Sequence, residues 1–509
     1  MSGQQPILIR TRPLGIMFML MMTLMPARGA TANEAVQFER WYTALLDSRP
    51  VGWMHVKIVR CADEYHSQSE MAISVRRGES VVSIMLGETF VETGGGEPLH
   101  TTQTQKLAGQ TITRKLVFGR DVYTLTTSNG SSVQTREYRP SALPWLTPMA
   151  AERYVTEQMN QGVKKITFWT LGLATGIQPV EVAHTVLRTT NIEVLGKTVP
   201  ATEIHTTMSV LPSVRSTEYM DREGHMIKTS STLGPWKFII VESDEQLAKA
   251  KIDPPELMTR LFVRSNRPIA MPRRIRSAEY ELRLDRSATD LSDLDLPSIG
   301  CQRLVHSNGQ TARIRVDLEV KAEVQDRPQE EHRIPSAMID SNDEKIRGLS
   351  EEGLAKYDEA VKDHVKAQAL CRFVHRYIEN RDLSVGFATA TEVAQTARGD
   401  CSEFAVLLAA MLRAVNIPSR TISGLVYVEQ FMGQQDLFGY HMWTQAWIEN
   451  GQVGYWMDLD AALNPDHFDA THIAVSSSAM SDDQFFNDMV KLAPLLGRLS
   501  ISVIETNSR

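Results

Sequence analysis

The sequence predicts an α+β protein of several domains, and three observations predict it. From about Glu34 to Ser243, apolar and polar residues alternate in short runs broken by Gly and Asn turns, the signature of an antiparallel sheet. A second alternating stretch follows the Pro- and Arg-rich residues 268–276. Beyond Ser341 the text turns helical, and from Thr391 helix and strand are mixed. The chain has 509 residues, and a length of about 150 residues per domain suggests roughly three.

In the first β segment Met54, Val56 and Ile58 alternate with His55 and Lys57. Met71, Ile73 and Val75 run into a turn at Arg77-Gly78, and Val82, Ile84 and Leu86 follow. Further turns fall at Ser128-Asn129-Gly130, Gly196-Lys197 and Arg222-Glu223-Gly224. Helical character is expected at Glu34–Leu46 and around Pro148–Asn160. This segment, residues 33–250, contains no nucleophile-base pair and no phosphate loop; a large sheet of this kind binds a ligand or acts as a spacer. Residues 251–340 read as a small β-sandwich with one wet face. There Ala278, Tyr280, Leu282 and Leu284 form one apolar row, and Ile314, Val316, Leu318 and Val320 form another behind the turn Ser307-Asn308-Gly309. Residues 341–509 form the third domain. It opens with the amphipathic stripe Val361, Val365, Leu370, Val374 and Tyr377.

Residues 1–32 read as an export signal. Arg10 and Arg12 precede the uncharged run Leu14–Met25, and the small residues Ala27, Gly29, Ala30 and Ala32 follow. The run is about a dozen residues long, whereas a spanning helix needs ~20. The alternative is an N-terminal anchor that is never cut. The mature protein is therefore expected to be periplasmic or secreted, with no membrane span. A net charge of -7 gives no basic footprint for nucleic acid. Four cysteines, Cys61, Cys301, Cys371 and Cys401, are too few for a disulfide scaffold; Cys61–Cys301 is the pair to test, with buried free thiols as the alternative. The cysteines have no C-x-x-C spacing, which gives no support to a structural zinc site, and the sequence has no D-x-D-x-D-G calcium loop, so no metal and no cofactor is expected.

The chemistry concentrates in Gly399-Asp400-Cys401-Ser402-Glu403-Phe404. Phe404, Leu408, Met411 and Val415 recur at helical spacing, so a buried helix starts at Cys401. Asp400 fits the N-cap and Glu403 the N3 position of a capping box. A cysteine on a first turn sits where unpaired N–H groups and the macrodipole favour thiolate. Two adjacent carboxylates oppose ionisation, so a cationic partner is required. Asn416-Ile417-Pro418 ends the helix. His441 supplies the partner: His441, Trp443, Gln445 and Trp447 share one strand face, and Asn450-Gly451 turns the chain toward Tyr455–Asp460. A carboxylate behind the imidazole would fix its tautomer and stabilise its charge. Asp458 rivals Asp460, and His467 and His472 are rival bases that lie past the hairpin without aromatic strand context.

GDCSEFAVLLAAMLRAVNIPSRTISG, then HMW, then YWMDLDAAL resemble the bacterial transglutaminase-like superfamily. The pattern is a G-x-C helix start, an L-R-A-x-G-I-P-x-R helix end, an H-x-W strand and a W-x-x-L-D strand end, here within about 65 residues. Asn416 stands where the family usually has Gly. The resemblance covers residues 342–505. It implies a papain-like core with Cys401 as nucleophile, His441 as general base and acid, and Asp460 as orienter, acting on a peptide or protein amide through a thioester. It favours Asp460 over Asp458, because the family's carboxylate follows Trp-x-x-Leu. Trp443 is expected to wall the substrate site or to pack the core; Arg413 and Arg420 read as structural. Two alternatives remain: a catalytically silent scaffold, or a protein whose N-terminal sheet does the work by binding a cell-envelope ligand.

Overall fold

The computed structural model describes residues 34–508 apart from 285–295, 321–325, 382–387, 483–494 and the positions 79, 108–109, 131, 175, 234 and 452. The expected signal, residues 1–32, lies outside the described residues. The chain forms two compact units. Of the described residues, one holds those within 34–76 and 81–256; the other holds those within 77–80 and 257–508.

The N-terminal unit is one antiparallel sheet of fourteen strands. Eight strands run as a meander from Glu34–Leu46 out to Val133–Tyr138, and six run from Lys165–Thr170 to Trp236–Ser243. The two meanders join where the first strand pairs with the last, Trp41 opposite Ser243 and Leu46 opposite Phe238. Residues 34–46, expected to be helical, are therefore a strand. Tyr42, Ala44 and Leu46 are buried at period two, and pairing on both sides overrides a local helical preference. Pro148–Asn160 is a helix as expected, with Pro at its first position and Ala151 and Val155 buried.

The C-terminal unit contains two sheets. Residues 251–340 do not close a separate sandwich. Their strands Gln302–Ser307, Thr311–Asp317 and Ser277–Leu284 form a four-stranded sheet completed by Leu499–Asn507. Ile501 and Val503 pair with Leu282 and Tyr280, so this sheet takes its fourth strand from beyond residue 340. Leu318 and Val320, expected to extend the row, lie past the strand's end at Asp317.

The other sheet carries the histidine strand, Gln434–Asn450. It lies between Ser419–Phe431 and, at one end, Val453–Leu459; Ser419–Phe431 pairs on its far side with His472–Ser478. Against this sheet packs the cysteine helix, Cys401–Ala414. Every residue from Cys401 to Arg413 is buried, as a helix apolar on all sides requires. Three helices cover it: Glu344–Leu354, Asp363–Tyr377 and Ala390–Thr396. The predicted polar helical stretch is thus two helices, capped separately. Asp343 accepts hydrogen bonds from the N–H groups of Lys345 and Ile346 at the first. Among the described residues no helix is long and apolar enough to cross a membrane.

Candidate active site

The cysteine helix begins as the sequence predicts. The Asp400 carboxylate accepts from the N–H of Ser402 and of Glu403, and the Glu403 carboxylate accepts from the Asp400 N–H at 2.9 Å. Glu403 is fully buried and also accepts from Ala388 N (3.1 Å) and Ser402 Oγ (2.9 Å). Gly399 makes this fold-back possible. Its φ is +155°, and a Cβ there would stand 2.2 Å from the Glu403 Cβ. Arg77 stands beside these carboxylates. It ion-pairs with Asp400, both side chains being buried. Cys401 is 3% exposed and bears no disulfide. At the other end Asn416 takes the left-handed conformation, φ +63°. Ile417 N–H then reaches back to Leu412 O at 2.9 Å, the expected C-cap.

The helix is fixed to the histidine strand by Thr444 Oγ1, which donates to Ala405 O at 2.9 Å. Three residues from Thr444, His441 is buried, and its Nε2 lies 2.9 Å from Asp460 Oδ2. Among the described residues its Nδ1 has no hydrogen-bond partner. An N–H at Nε2 donated to the carboxylate leaves Nδ1 as the lone-pair nitrogen of the neutral ring. Asp460 Oδ1 accepts from the N–H groups of Ala462 (2.9 Å) and Leu463 (3.2 Å). Burial opposes ionisation of Asp460, but the His441 and His472 imidazoles outweigh it and hold the carboxyl far below its ordinary range.

Asp458 is committed elsewhere. It accepts from Trp443 Nε1 (2.9 Å), Gln445 Nε2 (2.7 Å) and Cys301 N (3.2 Å). The hydrogen-bonded partner of His441 is therefore Asp460. Trp443 is 2% exposed and packs with Ile299, Ile422 and Ala474, its ring stacked 6.3 Å from His441. It orients and packs instead of presenting an open wall. Gly424, opposite His441 in register, allows this packing: a Cβ there would lie 2.1 Å from Ile473 O and 2.9 Å from the Trp443 indole.

Arg413 and Arg420 are structural, as expected. Arg413 donates to the carbonyls of Ile334, Ser419 and Ala479 at 2.8–2.9 Å. Arg420 bonds Gln445 and Asp326 and lies 4.0 Å over the Trp456 ring. Cys61 and Cys301 form no disulfide with each other. Burial pushes the thiols of Cys301 and Cys371 well above their ordinary value. His467 is exposed.

His472 is the residue the sequence reading undervalued. It opens the strand His472–Ser478, and it does stand among aromatics, with Phe468 at 4.3 Å and Trp443 at 5.2 Å. Its Nε2 lies 3.0 Å from Asp460 Oδ2, the oxygen that His441 also uses. The signal was the unbroken buried run after it, Ile473-Ala474-Val475, which reads as a central strand. The facing atoms of His441, Asp460 and His472 lie within 4.8 Å of one another. Both His–Asp contacts are at hydrogen-bond distance, and the other nitrogen of His472 faces the Asp469 carbonyl oxygen.

A buried helix headed by Cys401 packs on an antiparallel sheet whose histidine strand carries the His441–Asp460 pair, an α+β arrangement. Residues 353–461 match the family model of the transglutaminase-like superfamily. Among solved structures, the chain is similar to a β-barrel-like protein of unknown function from Brucella abortus: 12% identity, 43% of this chain and 97% of that one, TM-score 0.33. It is also similar to a candidate cysteine protease from Cytophaga hutchinsonii, at 15% identity over 45% of this chain and 86% of that one, TM-score 0.26. The periplasmic domain of TgpA from Pseudomonas aeruginosa, bound to ethylmercury, is 15% identical over 40% of this chain and 90% of that one, TM-score 0.26. No curated protein matches.

Proposed function

We propose that the protein is an exported thiol enzyme of papain-like core that forms an acyl-enzyme from a peptide or protein amide. The observation that carries this reading is the pair His441–Asp460: one imidazole nitrogen is held by a buried carboxylate, and the other has no hydrogen-bond partner, on a strand bonded to the helix that Cys401 heads. In this reading His441 Nδ1 takes the Cys401 proton, and the thiolate attacks the amide carbonyl carbon. The carbonyl electrons move onto oxygen, where the Cys401 backbone N–H at the helix start is the candidate donor. Collapse of the adduct expels the amine with the proton from His441 and leaves a thioester. Water then releases an acid, or a second amine takes the acyl group. Asp460 keeps the imidazole in the tautomer this sequence needs. Export to the periplasm or outside the cell rests on the basic, apolar and small-residue order of residues 1–32.

The test is a screen of the purified protein against peptide amides with and without amine acceptors, beside Cys401→Ala. Release or transfer of the acyl group by the wild type alone supports the reading. Equal traces from both proteins would leave a silent transglutaminase-fold scaffold, or a protein whose N-terminal sheet holds a cell-envelope ligand.

A further inference from the structure

His472 belongs to no part of the triad, yet its two ring nitrogens are both used. Nε2 faces the Asp460 carboxylate at 3.0 Å. Nδ1 faces the backbone carbonyl oxygen of Asp469 at 3.0 Å, and Asp469 Oδ1 lies 3.4 Å away. A carbonyl oxygen and an ionised carboxylate only accept, so both nitrogens must donate, and only the imidazolium has two N–H groups. The second carboxylate is itself held. Asp469 Oδ1 accepts from Thr471 N at 2.9 Å, and Oδ2 pairs with Arg273 at 2.8 Å. Asp460, His472 and Asp469 are all at most 2% exposed. The row His441–Asp460–His472–Asp469–Arg273, buried except at the part-exposed Arg273, thus alternates in charge and is neutral when His441 is neutral.

From this geometry we infer that His472 is a positioning residue of the proposed triad: a standing imidazolium, clamped between Asp460 and Asp469, that fixes Asp460 and offsets its charge. The inference rests on the thiol-enzyme reading for its consequence, though not for the protonation of His472. A carboxylate already paired with a cation favours a positive His441 less than a lone one would. Other ionisable groups face the row. Cys371 and His375 on Asp363–Tyr377, and Arg381 beyond it, lie near Asp460; Tyr280 lies near Asp469. Burial keeps Cys371 and Tyr280 uncharged and drives His375 toward its neutral form. That leaves Arg381 as the further cation, donating to Ala462 O at 2.9 Å. The two imidazole centroids are only 5.7 Å apart, so the charge of His472 acts directly on His441.

Two measurements test this. In the intact protein with 15N-labelled histidine, assigned by a His472→Gln variant, His472 should show both ring nitrogens protonated at pH 7.5. A neutral tautomer there overturns the inference. The second is the pH profile of Cys401 alkylation by iodoacetate, an anion drawn in by the His441 imidazolium, whose rate falls when that proton leaves. Replacing His472 by Gln should move the alkaline fall upward by roughly one pH unit, and His472→Lys, which restores the charge, should move it back. A uniform loss of rate with the fall unmoved would make His472 merely structural and overturn the inference. A wild type whose Cys401 is never alkylated would instead refute the thiol-enzyme reading, and the nitrogen spectrum would still decide the state of His472.

Discussion

The His441 ring has two nitrogens in two different situations, and most of the proposed chemistry follows from that asymmetry. Nε2 is bound to Asp460, and Nδ1 has no hydrogen-bond partner. Asp460→Asn could present its amide N–H₂ to His441 and favour the wrong tautomer. Turnover of any substrate found should fall by about 10³–10⁴-fold with little change in KM. Asp458→Asn should cost far less than this, since Asp458 serves Trp443, Gln445 and Cys301; steady-state kinetics of the two variants separates the carboxylates. Cys401, His441 and Asp460 were legible because each sits in a local pattern: a capping box, an aromatic-flanked strand, a strand end. His472 was not, because its importance depends on reaching the same Asp460 oxygen that His441 uses, and periodicity carries no such information. Trp443 was legible as a neighbour of His441, but its burial was not, since that depends on Ile299 and Ala474 from distant strands.

The helix start and the strand crossing depend on two glycines whose absent side chains admit neighbours. At Gly399 the space is taken by Glu403, which closes the cap over Cys401; at Gly424 it is taken by Ile473 O and the Trp443 indole. Gly424→Ala should destabilise the C-terminal unit by about 2 kcal/mol or more, since backbone is what a Cβ would strike. Gly399→Ala should both destabilise and slow Cys401 alkylation, because the cap that orders the first turn must open. Chemical denaturation and alkylation rates measured on the same samples check both. The capping box, the left-handed Asn416 and the hairpin could be read from sequence because turn and cap chemistry is local. The strand Glu34–Leu46 could not: its identity is fixed by partners as far away as Ser243. Nor could the completion of the small sheet by Leu499–Asn507, a pairing more than two hundred residues apart in sequence.

Stability of the whole protein should carry the imprint of the buried charge row. Although burial disfavours the charged ring, Asp469 and Asp460 raise His472 from 6.5 to about 9. Because the folded-state value is raised, its stabilising contribution is complete below pH 6.5 and is lost as the pH climbs through about 9. The thermal midpoint should therefore decline between pH 6.5 and 9.5 in the wild type, and that decline should be largely absent from His472→Gln. A midpoint with the same pH dependence in both proteins would place the titrating group elsewhere. The account as a whole stands on Cys401 being an activated thiol, and mass spectrometry after brief iodoacetamide treatment at pH 6 tests this most directly. Burial raises the thiols of Cys301 and Cys371, and an unactivated thiol, with a pKa of about 8.5, reacts little at that pH. The account predicts alkylation concentrated on Cys401 and abolished by His441→Ala. Slow, equal labelling of all four cysteines, unchanged by the loss of His441, would contradict it.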